Sequence, residues 1–193
     1  MNSQTKLSYL EQLEIEAKIK VPENKFNELI SRLGDPVFYE QHNYFYRDNL
    51  GRIIRLRIEQ DKIILTHKSD ANHYHDLYNS SYGPLNADFP AKYKVKKEKE
   101  IIINDSSLHG LEQILAFFDF KQIFYYKKER ATCHLCKCTI SLDKLNHSCD
   151  DYYVEIEGLS TGITSVIKTL ALDNFPLLTT SYLELLGGIK WVA

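Results

Sequence analysis

Charged and apolar side chains alternate one by one along Glu14-Ile15-Glu16-Ala17-Lys18-Ile19, so the three charges share one side of an extended chain and the apolar residues the other. Taken alone, such a stretch predicts a solvent-facing strand of a half-buried sheet. The period then changes. Across residues 21–34, Phe26, Leu29, Ile30 and Leu33 recur at helical spacing, with Pro22 in a first-turn position and Gly34 as a stop, which predicts a helix. YFYRD, GRIIRLRIE and DKIILTHKS read as three strands, the last two joined by a polar turn near Gln60 and Asp61. Residues 69–94 are rich in Asn, Asp, Ser, Tyr and Pro without a period, and predict a long loop.

Alternation resumes in KVKKEKEIII. A helix follows, with Leu108, Leu111, Leu115 and Phe118 on one stripe. IFYYKKERATC and KCTISLDKL predict a hairpin with its tip near Cys136, and DYYVEIEGL one more strand. Ile163, Val166, Ile167 and Leu170 mark a third helix, and Ser181 with Glu184 at capping-box spacing a short fourth one. About eight strands with helices between them, and few connections suited to parallel pairing, predict an antiparallel α+β domain. The order of paired charges, helix, paired charges recurs loosely along the chain, too degenerately to establish a duplication.

Composition adds bounds rather than identity. At 193 residues and 44% apolar content, one domain spanning 1–193 is the simplest arrangement. With 24 Lys and Arg against 26 Asp and Glu, no global basic field calls for nucleic acid or an anionic membrane. No apolar run approaches the roughly 20 residues of a membrane span, and MNSQTKLSYL lacks the apolar core of a signal peptide, so the expectation is a soluble, cytoplasmic protein.

Local charge is more informative. Paired carboxylates occur at Glu14 and Glu16, Glu98 and Glu100, and Glu155 and Glu157, with Asp143 in ISLD. The basic set is Lys18, Arg55 and Arg57, Lys68, Lys96, Lys128 and Arg130. Each pair is spaced by two and so shares a face, while the intervening residues are often Ile, Leu or Val and suit burial themselves. Charge inside and apolar residues outside, covered by helices, is best satisfied by closing the sheet into an eight-stranded barrel with room for one small ligand. Such an interior is costly unless its charges are paired or bound to ions. Carboxylates suit a hard cation such as Mg²⁺ or Mn²⁺, and Arg and Lys suit phosphate oxygens, which describes a site for a small triphosphate with its metal.

Glu14-Ile-Glu16-Ala-Lys18 resembles the ExExK signature of the CYTH superfamily, the triphosphate tunnel metalloenzymes that include class IV adenylyl cyclases and thiamine triphosphatases. Further blocks similar to that family follow in order: Tyr44-Phe-Tyr46, Arg55-Leu-Arg57, Leu65-Thr-His-Lys68, Lys96-Lys-Glu98-Lys-Glu100, Lys128-Glu-Arg130, Ile140-Ser-Leu-Asp143, Val154-Glu-Ile-Glu157 and Ser181-Tyr-Leu-Glu-Leu-Leu186. The resemblance covers residues 9 to 187. It implies an eight-stranded antiparallel closed β-barrel with flanking helices. Lys18, Arg55, Arg57, Lys68, Lys96, Lys128 and Arg130 would bind phosphate, and Glu14, Glu16, Asp143, Glu155 and Glu157 would hold Mg²⁺ or Mn²⁺, with Glu98 and Glu100 as further candidates. Glu14, Glu16 and Glu157 would be catalytic.

The implied activity is metal-dependent hydrolysis of inorganic triphosphate, thiamine triphosphate or a nucleoside triphosphate by a monomer or homodimer. The alternatives are cyclisation of ATP to cyclic AMP and pyrophosphate, and triphosphate sensing without turnover. Four departures stand out: Lys96 where the family often has Arg, His67 in place of an aromatic, LNHSCDDYY in place of a Gly-containing turn, and the length of the 69–94 segment. Cys133, Cys136, Cys138 and Cys149 with His134 and His147 have zinc-site spacing, against which stands the reading of ordinary thiols. His73, His75 and the tyrosines Tyr74, Tyr78 and Tyr82 read as loop residues, and Trp191 as packing.

Overall fold

Alternating and helical periods sort the described residues into nine strands and four helices. In order these are β1 (Ser8–Val21), α1 (Glu23–Arg32), β2 (Phe38–Arg47), β3 (Ile53–Glu59), β4 (Lys62–Asp70), β5 (Lys94–Ile103), α2 (Leu108–Phe117), β6 (Lys121–Leu135), β7 (Cys138–Asn146), β8 (Asp150–Glu157), α3 (Ser160–Thr169), β9 (Leu177–Leu178) and α4 (Tyr182–Leu185). The structure is a computed structural model that describes residues 8–70, 93–103, 108–146 and 150–187. All pairings are antiparallel, in the order β5-β4-β3-β2-β6-β7-β8-β1-β9, with β5 also pairing β1. The protein is thus α+β.

The long strand β1 divides its pairing along its length. Ser8–Glu16 pairs with β5 and Glu16–Val21 with β8, so Glu16 alone faces a partner in both ladders. Strand β9, absent from the sequence expectation, pairs with Lys18 and Ile19 where β5 has ended. Two of the hairpin turns use two residues at positive φ, Gln60 (44°) with Asp61 (63°) and Cys136 (52°) with Lys137 (61°). That is the twist a tight antiparallel hairpin demands.

The outward residues form two cores. Ile15, Ala17 and Ile19 of β1, with Ile140, Leu142, Val154 and Ile156, pack beneath Phe26 and Leu29 of α1 and Ile163, Val166 and Ile167 of α3. Tyr46, Leu56 and Ile63 pack beneath Leu115 of α2. Leu108 and Leu111 join that contact, but Phe118 does not and is 62% exposed. The helix ends at Phe117, Asp119 turns the chain at φ 60°, and Phe120 bonds back to the Leu115 carbonyl at 2.9 Å and takes the core position instead.

The predicted loop is shorter than expected at its ends: Ser69 and Asp70 extend β4 along the β4–β5 ladder (Asp70 opposite Lys96), and Lys94 already belongs to β5 through the β1–β5 ladder (opposite Glu16). The rest of it, with His73, His75, Tyr74, Tyr78 and Tyr82, lies outside the described residues, as does Trp191. Among the described residues, no helix is long and apolar enough to cross a membrane.

Candidate functional site

The inward face of the sheet carries the charges. Thirteen of the fourteen charged residues predicted for the site line one cavity of about 320 Å³: Glu14, Glu16 and Lys18 from β1, Arg55 and Arg57 from β3, Lys68 from β4, Lys96, Glu98 and Glu100 from β5, Lys128 and Arg130 from β6, and Glu155 and Glu157 from β8. Asp143 of β7 is fully buried behind that lining. Its two oxygens accept from Lys128 (2.7 Å), from Arg130 (2.6 Å to each) and from the Tyr182 hydroxyl (2.7 Å). Three of these bonds fall on Oδ2 and one on Oδ1, so the protein itself engages both oxygens.

Cavity charges neutralise one another wherever the strand register brings opposite signs together. Lys18 lies 3.0 Å from Glu16 and 3.0 Å from Glu155, and Lys68 lies 2.8 Å from Glu14 and also pairs with Glu98. Arg130 pairs with Glu155 as well as Asp143, and Arg55 approaches Glu100 at 3.4 Å. Against the burial that disfavours its charge, Glu16 and Glu155 hold the Lys18 ammonium well above the usual lysine range. Burial likewise opposes ionisation of Glu155, yet Lys18 and Arg130 hold it well below the usual carboxylate range.

Three groups are held less well, Lys128 despite its bond to Asp143. Burial and the like charges of Arg55 and Arg130 push Arg57 down, its nearest carboxylate being Glu59 at a loose 3.8 Å. Burial and Arg130 push Lys128 down to about 7. Burial and the charges of Glu14 and Glu155 push Glu157 up to about 8, and Glu157 has no ion pair among the described residues. Cations crowded by like charge attract an anion, and mutually repelling carboxylates attract a cation.

Hard-cation chemistry fits this donor set. Glu14, Glu16, Glu155 and Glu157 supply only oxygen ligands, and Glu157 repels rather than pairs with its neighbours. Among the described residues, no three His, Cys, Asp or Glu side chains are drawn together at metal-holding distance, because Glu14, Glu16 and Glu155 lean on lysine or arginine. A polyanion that takes those cations frees the carboxylates.

Several residues in or behind the cavity lining were not anticipated. Lys94 lines it and lies 3.5 Å from Glu16. Its position two residues before Lys96 carries the same alternation and would have revealed it. Thr66, buried, donates to Glu100 at 2.9 Å, and Asn43, fully buried, accepts from Arg57 Nε at 3.2 Å. Tyr182 lines the cavity from α4, where no strand alternation applies. The capping box holds as predicted: Glu184 N–H donates to Ser181 Oγ at 3.3 Å and Ser181 N–H to Glu184 Oε2 at 2.7 Å.

Among the described residues the thiols form no metal-holding group. Cys136 is exposed at the hairpin tip, Cys133 is half-buried with its Sγ 3.8 Å from the Ile140 carbonyl, and Cys138 is buried against Gly158 and Gly162. No metal-holding group includes them or His134 among the described residues; Cys149 and His147 lie outside those residues.

A sheet with charge inside and helices outside, carrying this ordered set of blocks, defines a class, and comparison with known families agrees. The CYTH domain profile matches residues 12–162, and the chain belongs to the CYTH domain family. Solved structures share the fold at low identity. A Pyrococcus horikoshii protein is 21% identical with a TM-score of 0.64, the alignment covering 90% of this chain and 97% of that one. A Hippeastrum protein, described as an adenylyl cyclase candidate with a dominant triphosphatase activity, is 16% identical with a TM-score of 0.60, covering 92% and 97%. A Bacillus halodurans candidate adenylate cyclase is 17% identical with a TM-score of 0.56, covering 90% and 97%. No curated protein matches the chain significantly.

Proposed function

We propose that this protein is a divalent-metal-dependent triphosphatase that hydrolyses a small triphosphate inside a tunnel formed by β1 to β8. Closure of the tunnel is supported by the β1–β5 ladder, which gives each of those eight strands two neighbours. The observation that carries the reading is the presence in one cavity of two poorly satisfied groups of opposite sign: Arg57, crowded by Arg55 and Arg130 with Glu59 only at 3.8 Å, and Glu157, without an ion pair among the described residues. A triphosphate satisfies the first and a divalent cation the second.

On this reading Arg55, Arg57 and Arg130 fork onto phosphate oxygens while Lys18, Lys68, Lys96 and Lys128 act as point charges. They orient the chain and stabilise the charge that develops on the transferred phosphoryl oxygens. Glu14, Glu16, Glu155 and Glu157 would hold Mg²⁺ or Mn²⁺, with Glu98 and Glu100 within the same cavity as further candidates. Bound there, the ion supplies Lewis-acid polarisation and a more acidic water. Asp143 serves instead to hold Lys128 and Arg130 in place, since its oxygens are engaged by both. Glu157, protonated near neutrality, is the group placed to exchange a proton as substrate and ion enter.

The test is product identification. Purified protein with Mg²⁺ or Mn²⁺ is incubated separately with inorganic triphosphate, thiamine triphosphate and ATP. Release of orthophosphate and the corresponding diphosphate is the expected result. Cyclic AMP with pyrophosphate would replace this reading by the cyclase, and tight binding without turnover would replace it by a sensor.

A further inference from the structure

Tyr182 is the one aromatic side chain of α4 that reaches the cavity, and three charged groups converge on it. The Lys18 ammonium lies 4.2 Å from its ring centroid, the Lys128 ammonium 4.5 Å, and its hydroxyl donates to Asp143 at 2.7 Å. The ring is held from behind, edge-on to Tyr153 at 5.2 Å and tilted on Tyr126 at 6.0 Å. Its backbone is pinned by the capping box, and the preceding turn is pinned by Lys18, whose ammonium donates to the Thr180 carbonyl at 3.3 Å.

Lysine stems are flexible, and each ammonium carries three donors with no fixed fork. A ring face attracts an ammonium without occupying any of those donors. Without ligand, Lys18 meets Glu16, Glu155 and the Thr180 carbonyl and Lys128 donates to Asp143, so the ring is the contact that can hold each ammonium in place while a phosphate takes over its N–H groups. A carboxylate partner does the opposite, competing with the ligand for the same N–H groups. Lys18 and Lys128 sit 110 positions apart in the chain on strands that are not paired, and both lie against the Tyr182 ring.

We propose that Tyr182 is a positioning residue whose ring sets the Lys18 and Lys128 ammoniums for phosphate, so that α4 completes the binding wall. This rests on the triphosphate reading of the cavity. The hydroxyl contributes separately, by orienting Asp143 between Lys128 and Arg130.

The measurement is metal-free binding of inorganic triphosphate by calorimetry, with KM and kcat for the same compound alongside. Tyr182→Leu, which removes the ring, is expected to weaken binding and raise KM by about tenfold while kcat changes by less than about threefold. Tyr182→Phe keeps the ring and restores affinity to within about threefold of the native protein. Should the leucine variant not fold, phenylalanines of increasing fluorination at position 182 keep the shape and withdraw the ring's negative face, and affinity should fall step by step. A folded leucine variant that binds normally, a phenylalanine variant as weak as leucine, or an affinity flat across the fluorinated series would each overturn the proposal. Native protein that binds no triphosphate at all would overturn the cavity reading itself.

Discussion

Glu16 and Glu157 stand directly opposite each other across the β1–β8 ladder, two carboxylates in a register where sheets favour opposite charges. Glu16 is compensated by Lys18 at 3.0 Å and Lys94 at 3.5 Å, whereas Glu157 has no ion pair among the described residues. Burial, with Glu14 and Glu155 nearby, raises Glu157 from 4.5 to about 8.

A pH dependence follows from that shift. Between about 4.5 and about 8 the folded protein keeps a proton on Glu157 that the unfolded chain has lost. Stability contributed by this residue therefore falls as pH rises through that window, by about 1.4 kcal/mol per pH unit, and is lost completely above it. Glu157→Gln should raise the metal-free Tm at pH 8 and leave it nearly unchanged at pH 5. Mg²⁺ or Mn²⁺ binding to the native protein at pH 7 should release close to one proton, seen as a buffer-dependent calorimetric enthalpy that the Gln variant lacks. Equal Tm gains at both pH values would remove the assignment.

Arg57 should behave differently in stability and in binding. It is repelled by Arg55 and Arg130 and reaches Glu59 only at 3.8 Å. Arg57→Ala is expected to leave the ligand-free Tm unchanged or slightly higher, and to weaken inorganic triphosphate binding by at least about tenfold, the scale of a lost charged hydrogen bond. A large Tm loss would mean that Arg57 is structural.

Asp143 should matter to the fold before it matters to metal. Asp143→Ala leaves Lys128 and Arg130 as buried cations without their shared partner, at a cost of about 3–5 kcal/mol, measurable by urea unfolding. If Asp143 were chiefly a metal ligand, the variant would retain its metal-free stability and lose only its response to Mg²⁺ or Mn²⁺.

How much of this was legible in the chain depends on whether the signal is local. The two-residue spacing of Glu14 and Glu16, Arg55 and Arg57, Lys128 and Arg130, and Glu155 and Glu157 is a backbone property, since a pleated strand turns alternate side chains to the same face. Those residues therefore met in the cavity as the sequence predicted, and the same rule, applied one pair further, would have added Lys94. Helix stripes were equally legible at Phe26, Leu29, Ile163 and Val166, and failed at Phe118, where a left-handed Asp119 turned the chain one residue sooner than the pattern implied.

Sequence by itself thus determined the elements other than β9, the antiparallel α+β class, and which side chains share a face, because each follows from neighbours a few positions apart. Tertiary structure alone decided which charge meets which. Lys18 came between Glu16 and Glu155 while Glu157 was left without an ion pair among the described residues, and Asp143 came to accept from Lys128, Arg130 and Tyr182. Register between distant strands, and the docking of a four-residue helix against them, set those distances. In a buried, low-dielectric interior, distances of a few ångströms determine whether a charge is neutralised or remains available to a ligand.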